Sequence, residues 1–151
     1  MENDKINKNN METKKATIIY HSKRGTTQKY AAEIAFYLKK KGIESKVTSV
    51  QKFSNNDITA VDYIFFGCWT SGLFFILQHP AKEWIQFAKS LPQNLSAKTA
   101  LFTTYKIRTG SMFRNMKKFL QGKTHDATLL LQSRNGELTE FNKNIIDKFL
   151  E

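Results

Sequence analysis

Tyr63-Ile64-Phe65-Phe66-Gly67 is apolar or aromatic at every position, with no alternation of inside and outside. A strand of that kind must be covered on both faces, and a parallel sheet with helices packed on each side does this. The rest of the chain supplies the other parts. Ala16-Thr17-Ile18-Ile19-Tyr20 is short, apolar and β-branched, as a buried strand should be. Tyr30, Ala31, Ile34, Ala35 and Leu38 then recur at helical spacing until Gly42 stops the pattern. Ser45–Val50 alternates weakly and reads as a second, edge-like strand, joined to Tyr63–Gly67 through the polar Ser54-Asn55-Asn56-Asp57. Pro80 opens a helix with Ala81, Trp84, Ile85, Ala88 and Leu91 on one face. Thr99–Thr104 is a fourth strand, and Met112, Phe113, Met116, Phe119 and Leu120 mark a helix ended by Gly122. Ala127–Leu131 is a fifth strand and Asn135-Gly136 a turn. Thr139 caps a last helix with Phe141, Ile145, Phe149 and Leu150 inward.

Five strands alternating with helices predict a doubly wound α/β fold, a three-layer sandwich around a parallel sheet. Ligands of such folds bind beyond the carboxyl ends of the strands, where strand order reverses. In the order 2-1-3-4-5 that point lies between strands one and three. The length of 151 residues suits one domain. Met1–Lys15 is polar, rich in Asn and Lys and without apolar period, and reads as a disordered leader to a domain spanning residues 16–151. No apolar run reaches membrane-spanning length and no signal-peptide core is present, so a cytoplasmic location is expected. Cys68 is the single cysteine, which excludes an internal disulfide and a cysteine-cluster metal site. Strand-end cysteines of this kind are more often packed than reactive. His21, His79 and His125 are far apart and point to no metal.

Between the first strand and first helix lies His21-Ser22-Lys23-Arg24-Gly25-Thr26-Thr27. A hydroxyl-rich loop opening directly into a helix is an anion site, because unpaired backbone N–H groups and the helix dipole both favour a phosphate. Ser22, Thr26 and Thr27 add hydroxyl donors, and Gly25 permits close backbone approach. Thr26 and Thr27 as simple helix caps are the plainer alternative. The spacing matches neither G-x-x-x-x-G-K-[ST] nor G-x-G-x-x-G, which excludes the nucleotide-hydrolysing loop and makes a dinucleotide a poor fit.

Ile19 to Thr27, followed by Lys29-Tyr30-Ala31, resembles the phosphate loop of the flavodoxin superfamily. Its S-x-x-G-T-T form is most similar to the branch containing the flavodoxin-domain protoporphyrinogen oxidases. The resemblance implies a flavodoxin-like fold and noncovalent binding of FMN, with Ser22, Lys23, Arg24, Gly25, Thr26 and Thr27 around the phosphate. It also implies two loops about the isoalloxazine. The first would be Trp69, Thr70, Ser71, Gly72, Leu73 and Phe74, which offer aromatic faces and a Ser-Gly turn. It departs from the shorter, tyrosine-containing loop of many relatives, so the stacking residue stays open. Phe75 and Ile76 fit a core plug or an interface equally well. The second would be Thr104, Tyr105 and Lys106, with Tyr105 on the outer ring face and Lys106 or Arg108 near the pyrimidine edge or phosphate. Thr109 and Ser111 also read as caps.

The formal charge is +11, of which the leader holds about +1, so the excess belongs to the domain. Flavodoxin shuttles are typically acidic, and this chain is the reverse. Acidic redox proteins or an anionic membrane surface are the expected partners, the latter allowing a peripheral location. Zinc-finger spacing, an RNP signature and a basic reader helix are all missing, which argues against nucleic acid. Positive surroundings would favour the reduced, anionic flavin. Three functions stay open: an FMN-binding electron carrier, a flavin-dependent oxidoreductase of the quinone-linked protoporphyrinogen oxidase kind, and a flavin-less scaffold that binds a partner through Trp69–Ile76. In the first two, the cofactor and not a side chain would carry the chemistry.

Overall fold

The computed structural model describes residues 12–73 and 76–151. The leader reading for residues 1–11, and the site readings for Phe74 and Phe75, lie outside the described residues. The chain runs β1 (Lys15–His21), α1 (Thr26–Lys40), β2 (Glu44–Ser49), a 3₁₀ turn (Asn55–Ile58), β3 (Tyr63–Trp69), β4 (Ser71–Leu73), β5 (Ile76–His79), α2 (Lys82–Ser90), β6 (Lys98–Thr104), α3 (Met112–Leu120), β7 (Leu129–Ser133) and α4 (Glu140–Leu150). The five-stranded sheet has the order β2-β1-β3-β6-β7, all pairs parallel, which is the expected order of the five main strands.

Alternate residues of the central strands feed two separate cores. Ile18, Phe65 and Phe102 pack with Tyr30, Ile34 and Leu38 of α1 and Ile146 of α4. Ile19, Phe66 and Leu101 pack with Trp84 and Ala88 of α2 and Met112 and Met116 of α3. Each fully buried large apolar side chain of this kind contributes about 1.5–3 kcal/mol. This two-sided burial explains why β3 reads as one apolar run.

Three elements differ from the sequence expectation. The stretch after β3 is an antiparallel hairpin, β4 with β5, and not a simple loop. Its sharp geometry needs Gly72 at φ +131°, where a Cβ would meet the Leu77 carbonyl oxygen at 2.4 Å. β7 lies two residues later than expected, because Leu129, Leu131 and Ser133 face inward while Leu130 is turned out. In α4, Phe141 is not inward but 71% exposed. The inward position belongs to its neighbour Asn142, whose amide donates to the Tyr30 hydroxyl at 2.9 Å and the Gln132 carbonyl at 3.3 Å. A buried polar residue with two hydrogen-bond partners, one of them the buried Tyr30 hydroxyl, therefore holds the face that hydrophobicity alone assigns to Phe141. Thr139 does cap α4, its hydroxyl accepting from the Asn142 backbone N–H at 3.2 Å.

Gly67, in the middle of β3, leaves room for the Phe102 ring, which a Cβ would meet at 2.1 Å. Gly67→Ala is therefore expected to destabilise the fold by about 1–3 kcal/mol through overpacking, read as a lowered urea midpoint with an unchanged slope.

Candidate functional site

The parallel arrangement brings the loops after β1, β3, β6 and β7 to one edge of the sheet, where they enclose a cavity of about 410 Å³. Its floor is the start of α1. Gly25 precedes the helix at φ +93°, no side chain caps the first turn, and that turn carries no acid. A Cβ on Gly25 would meet nothing within 4 Å, so open space lies directly above this backbone. The Ser22 hydroxyl accepts from the Gly25 amide at 3.0 Å, which folds the loop back on itself. First-turn amides without a side-chain cap and with the positive dipole end behind them suit an anion.

Thr26 and Thr27 have different surroundings. Thr26 lines the cavity, half-buried. Thr27 is only 1% exposed, and its hydroxyl lies 2.6 Å from that of Thr104. This pair ties the start of α1 to the end of β6, so both hydroxyls serve the scaffold as well as the wall. A second pair continues the network: the Thr70 and Thr103 hydroxyls are 2.8 Å apart, and Thr103 donates to the Cys68 carbonyl at 2.6 Å.

Two aromatic residues stand at the walls. Trp69 ends β3 with the Lys23 ammonium 4.8 Å from its ring centre, and its buried indole N–H has no acceptor among the described residues. Tyr105 follows β6 with the Arg134 guanidinium 5.6 Å from its ring centre. Ser71 and Gly72 line the cavity from the hairpin. For Leu73 the structure describes only the backbone pairing with Ile76. Lys106 and Arg108 lie on the same wall as Tyr105.

Gln78, Ile107 and Arg134 also line the cavity and carried no site reading from sequence. The apolar pattern alone ends the strand at Leu131; with β7 ending at Ser133, Arg134 emerges at the mouth. Gln78 returns from the hairpin and is buried. Its carbonyl accepts from the Ser111 hydroxyl at 2.9 Å and the Asn115 amide at 2.8 Å, anchoring the hairpin to α3. Nothing local in the sequence signals this contact.

The other titratable groups nearby have structural roles. Burial pushes the Cys68 thiol up to about 12, with the Ala81 amide on its sulfur at 3.4 Å, so it stays protonated and unreactive. Burial also pulls His21 below its ordinary value, against a smaller opposite pull from Glu83 at 3.5 Å. His79 hydrogen-bonds the Pro80 carbonyl at 2.8 Å.

The sequence model of the flavodoxin domain matches residues 17–150. The chain belongs to the flavodoxin-domain family. Among solved structures, Flavodoxin 2 from Bacillus cereus is similar, with a TM-score of 0.68, 17% identity and coverage of 90% of this chain and 97% of that one. The two-electron reduced flavodoxin of Megasphaera elsdenii has a TM-score of 0.65 and 20% identity, covering 89% and 97%. Rubredoxin oxygen:oxidoreductase from Desulfovibrio gigas has a TM-score of 0.63 and 17% identity, covering 91% of this chain but 35% of that one. At these identities the likeness establishes the fold. No curated protein matches the sequence.

Two expectations follow. Thr27→Val and Thr104→Val should each cost about 1–3 kcal/mol by stranding the partner hydroxyl. The double variant should cost clearly less than the two together, a coupling that a double-mutant cycle by chemical denaturation measures. For His21 the folded-state value lies below the unfolded one, so its contribution is complete above the ordinary value of about 6.5 and is lost as pH falls below it. His21→Gln should flatten the dependence of stability on pH in that window, as followed by urea midpoints.

Proposed function

We propose that this flavodoxin-domain chain binds FMN noncovalently at the cavity above α1 and works as an electron carrier. The observation that carries the reading is the uncapped start of α1. It joins a left-handed Gly25 with open space above it, a first turn free of acid, and hydroxyls from Ser22 and Thr26 in one phosphate-sized concavity. A phosphate monoester with nearly two negative charges fits that donor set. The cavity volume falls in the range of small-molecule sites, which is about 300–1,000 Å³. Trp69 and Tyr105 offer the flat apolar contact that a tricyclic ring needs, and the Trp69 indole N–H is a buried donor that a polar ligand edge would satisfy. FMN would supply one- and two-electron redox chemistry, and the residues lining the cavity would bind, orient and tune it.

The electrostatics support a particular tuning. Lys23, Arg24, Lys106, Arg108 and Arg134 line the cavity, and no carboxylate does so among the described residues. Positive charge favours the reduced, anionic form by Coulomb attraction. The FMN-loaded protein should therefore have a higher reduction potential than an acidic flavodoxin measured beside it, and Lys106→Gln with Arg134→Gln should lower it.

Titration of the apoprotein with FMN and with riboflavin, followed by flavin and tryptophan fluorescence, tests binding. FMN should bind at least about a hundredfold more tightly, since charge-assisted hydrogen bonds to the phosphate contribute about 1.5–3 kcal/mol each. Gly25→Val, which strains the positive φ and occupies the open space, should abolish that preference. Equal binding of the two flavins would remove the phosphate site, and no binding of either would overturn the reading.

A further inference from the structure

The cavity's cations come from three separate loops: Lys23 and Arg24 after β1, Lys106 and Arg108 after β6, and Arg134 after β7. None has a carboxylate within ion-pair distance among the described residues. The acids closest in sequence to the site are engaged elsewhere, Glu83 with His21 at 3.5 Å and Glu137 with Lys29 at 3.8 Å. One phosphate monoester neutralises at most about two of these charges, so a loaded site keeps roughly +3 at its mouth. The remainder is spread out. From β1 across β3 and β6 to β7 are three strand intervals, roughly 14 Å at the usual interstrand spacing. That is wider than a small anion reaches, and a cavity of about 410 Å³ holding a flavin leaves no enclosed space for a second ligand.

We propose that this cationic mouth is a docking surface for an acidic electron-transfer protein, whose carboxylates bridge the loops after β1, β6 and β7. The electron-transfer purpose rests on the flavin reading above; the docking itself requires only the charges. Complementary charge steers such encounters and sets their register, and it makes them sensitive to salt. The basic pairs elsewhere differ in kind. Lys117 and Lys118 occupy the last turn of α3, at the opposite end of the sheet, where they complement a helix dipole.

The test uses the full chain, with and without added FMN, against two probes sharing one haem fold: native cytochrome c, which is basic, and succinylated cytochrome c, which is acidic. Binding is read by surface plasmon resonance at low and high salt. The acidic probe should bind about tenfold or more tightly than the native one at low salt and lose most of that advantage at high salt. Lys106→Gln/Arg108→Gln/Arg134→Gln should weaken it about tenfold, whereas Lys117→Gln/Lys118→Gln should change it by less than about twofold. Arg134→Gln alone, checked for folding by circular dichroism, should show a smaller loss of the same sign. Equal losses in the mouth and α3 variants would overturn the proposal in favour of net charge alone. So would equal binding of the two probes, or pelleting with phosphatidylserine vesicles at a salt concentration where the acidic probe no longer binds. Salt-sensitive binding of the acidic probe by a chain that takes up no FMN would support the docking surface and sink only the flavin reading.

Discussion

Both faces of the central strands have to be kept from water, and the other features of the fold follow from that. Ile64 and Phe66 point one way and Phe65 the other, all fully buried. Covering both faces requires helical crossovers on each side, which makes the strands parallel and aligns their carboxyl ends along one edge. The loops after β1, β3, β6 and β7 then converge there although they are distant in sequence. The hydroxyl pair Thr27–Thr104 is the point where the two halves of that edge are joined: one residue starts α1, the other ends β6. The site is thus a consequence of the packing.

Its chemistry is set by charge. A loop that presents uncapped helix amides already attracts an anion, and the surrounding side chains add five cations and no carboxylate among the described residues. Lys23 and Arg134 lie against the rings of Trp69 and Tyr105, so the same side chains that make the mouth positive also help position its aromatic walls. Burial keeps Cys68 protonated and His21 biased to its neutral form, so neither competes as a nucleophile or as an added charge.

Much of this was legible in the chain. The alternation of strands and helices, the two helical layers and the loop Ser22–Thr27 follow from local patterns, because period and turn chemistry are properties of neighbouring residues, whereas the strand order is a pairing between distant segments. The elements that depart from the local pattern share a cause. Hydrophobicity assigns Phe141 inward, but Asn142 holds the buried position through Tyr30 and Gln132, partners 112 and 10 residues away. The hairpin β4–β5 has no local signal, since its anchors are Ser111, which precedes α3, and Asn115 within it. The place of Arg134 at the cavity mouth is likewise non-local, because the start of β7 is set by its register against β6, where Ala100 pairs with Leu129.

The sequence by itself determined that the chain would form a parallel sheet covered on both sides, with a hydroxyl-rich loop opening into a helix after the first strand and an excess of positive charge. These depend on periodicity, composition and a contiguous motif. Only the tertiary structure decided which cations gather at that loop, which hydroxyls are spent on the scaffold, and which aromatic residues stand at the walls. Those outcomes depend on contacts between residues far apart in the chain, and their geometry exists only once both cores have packed.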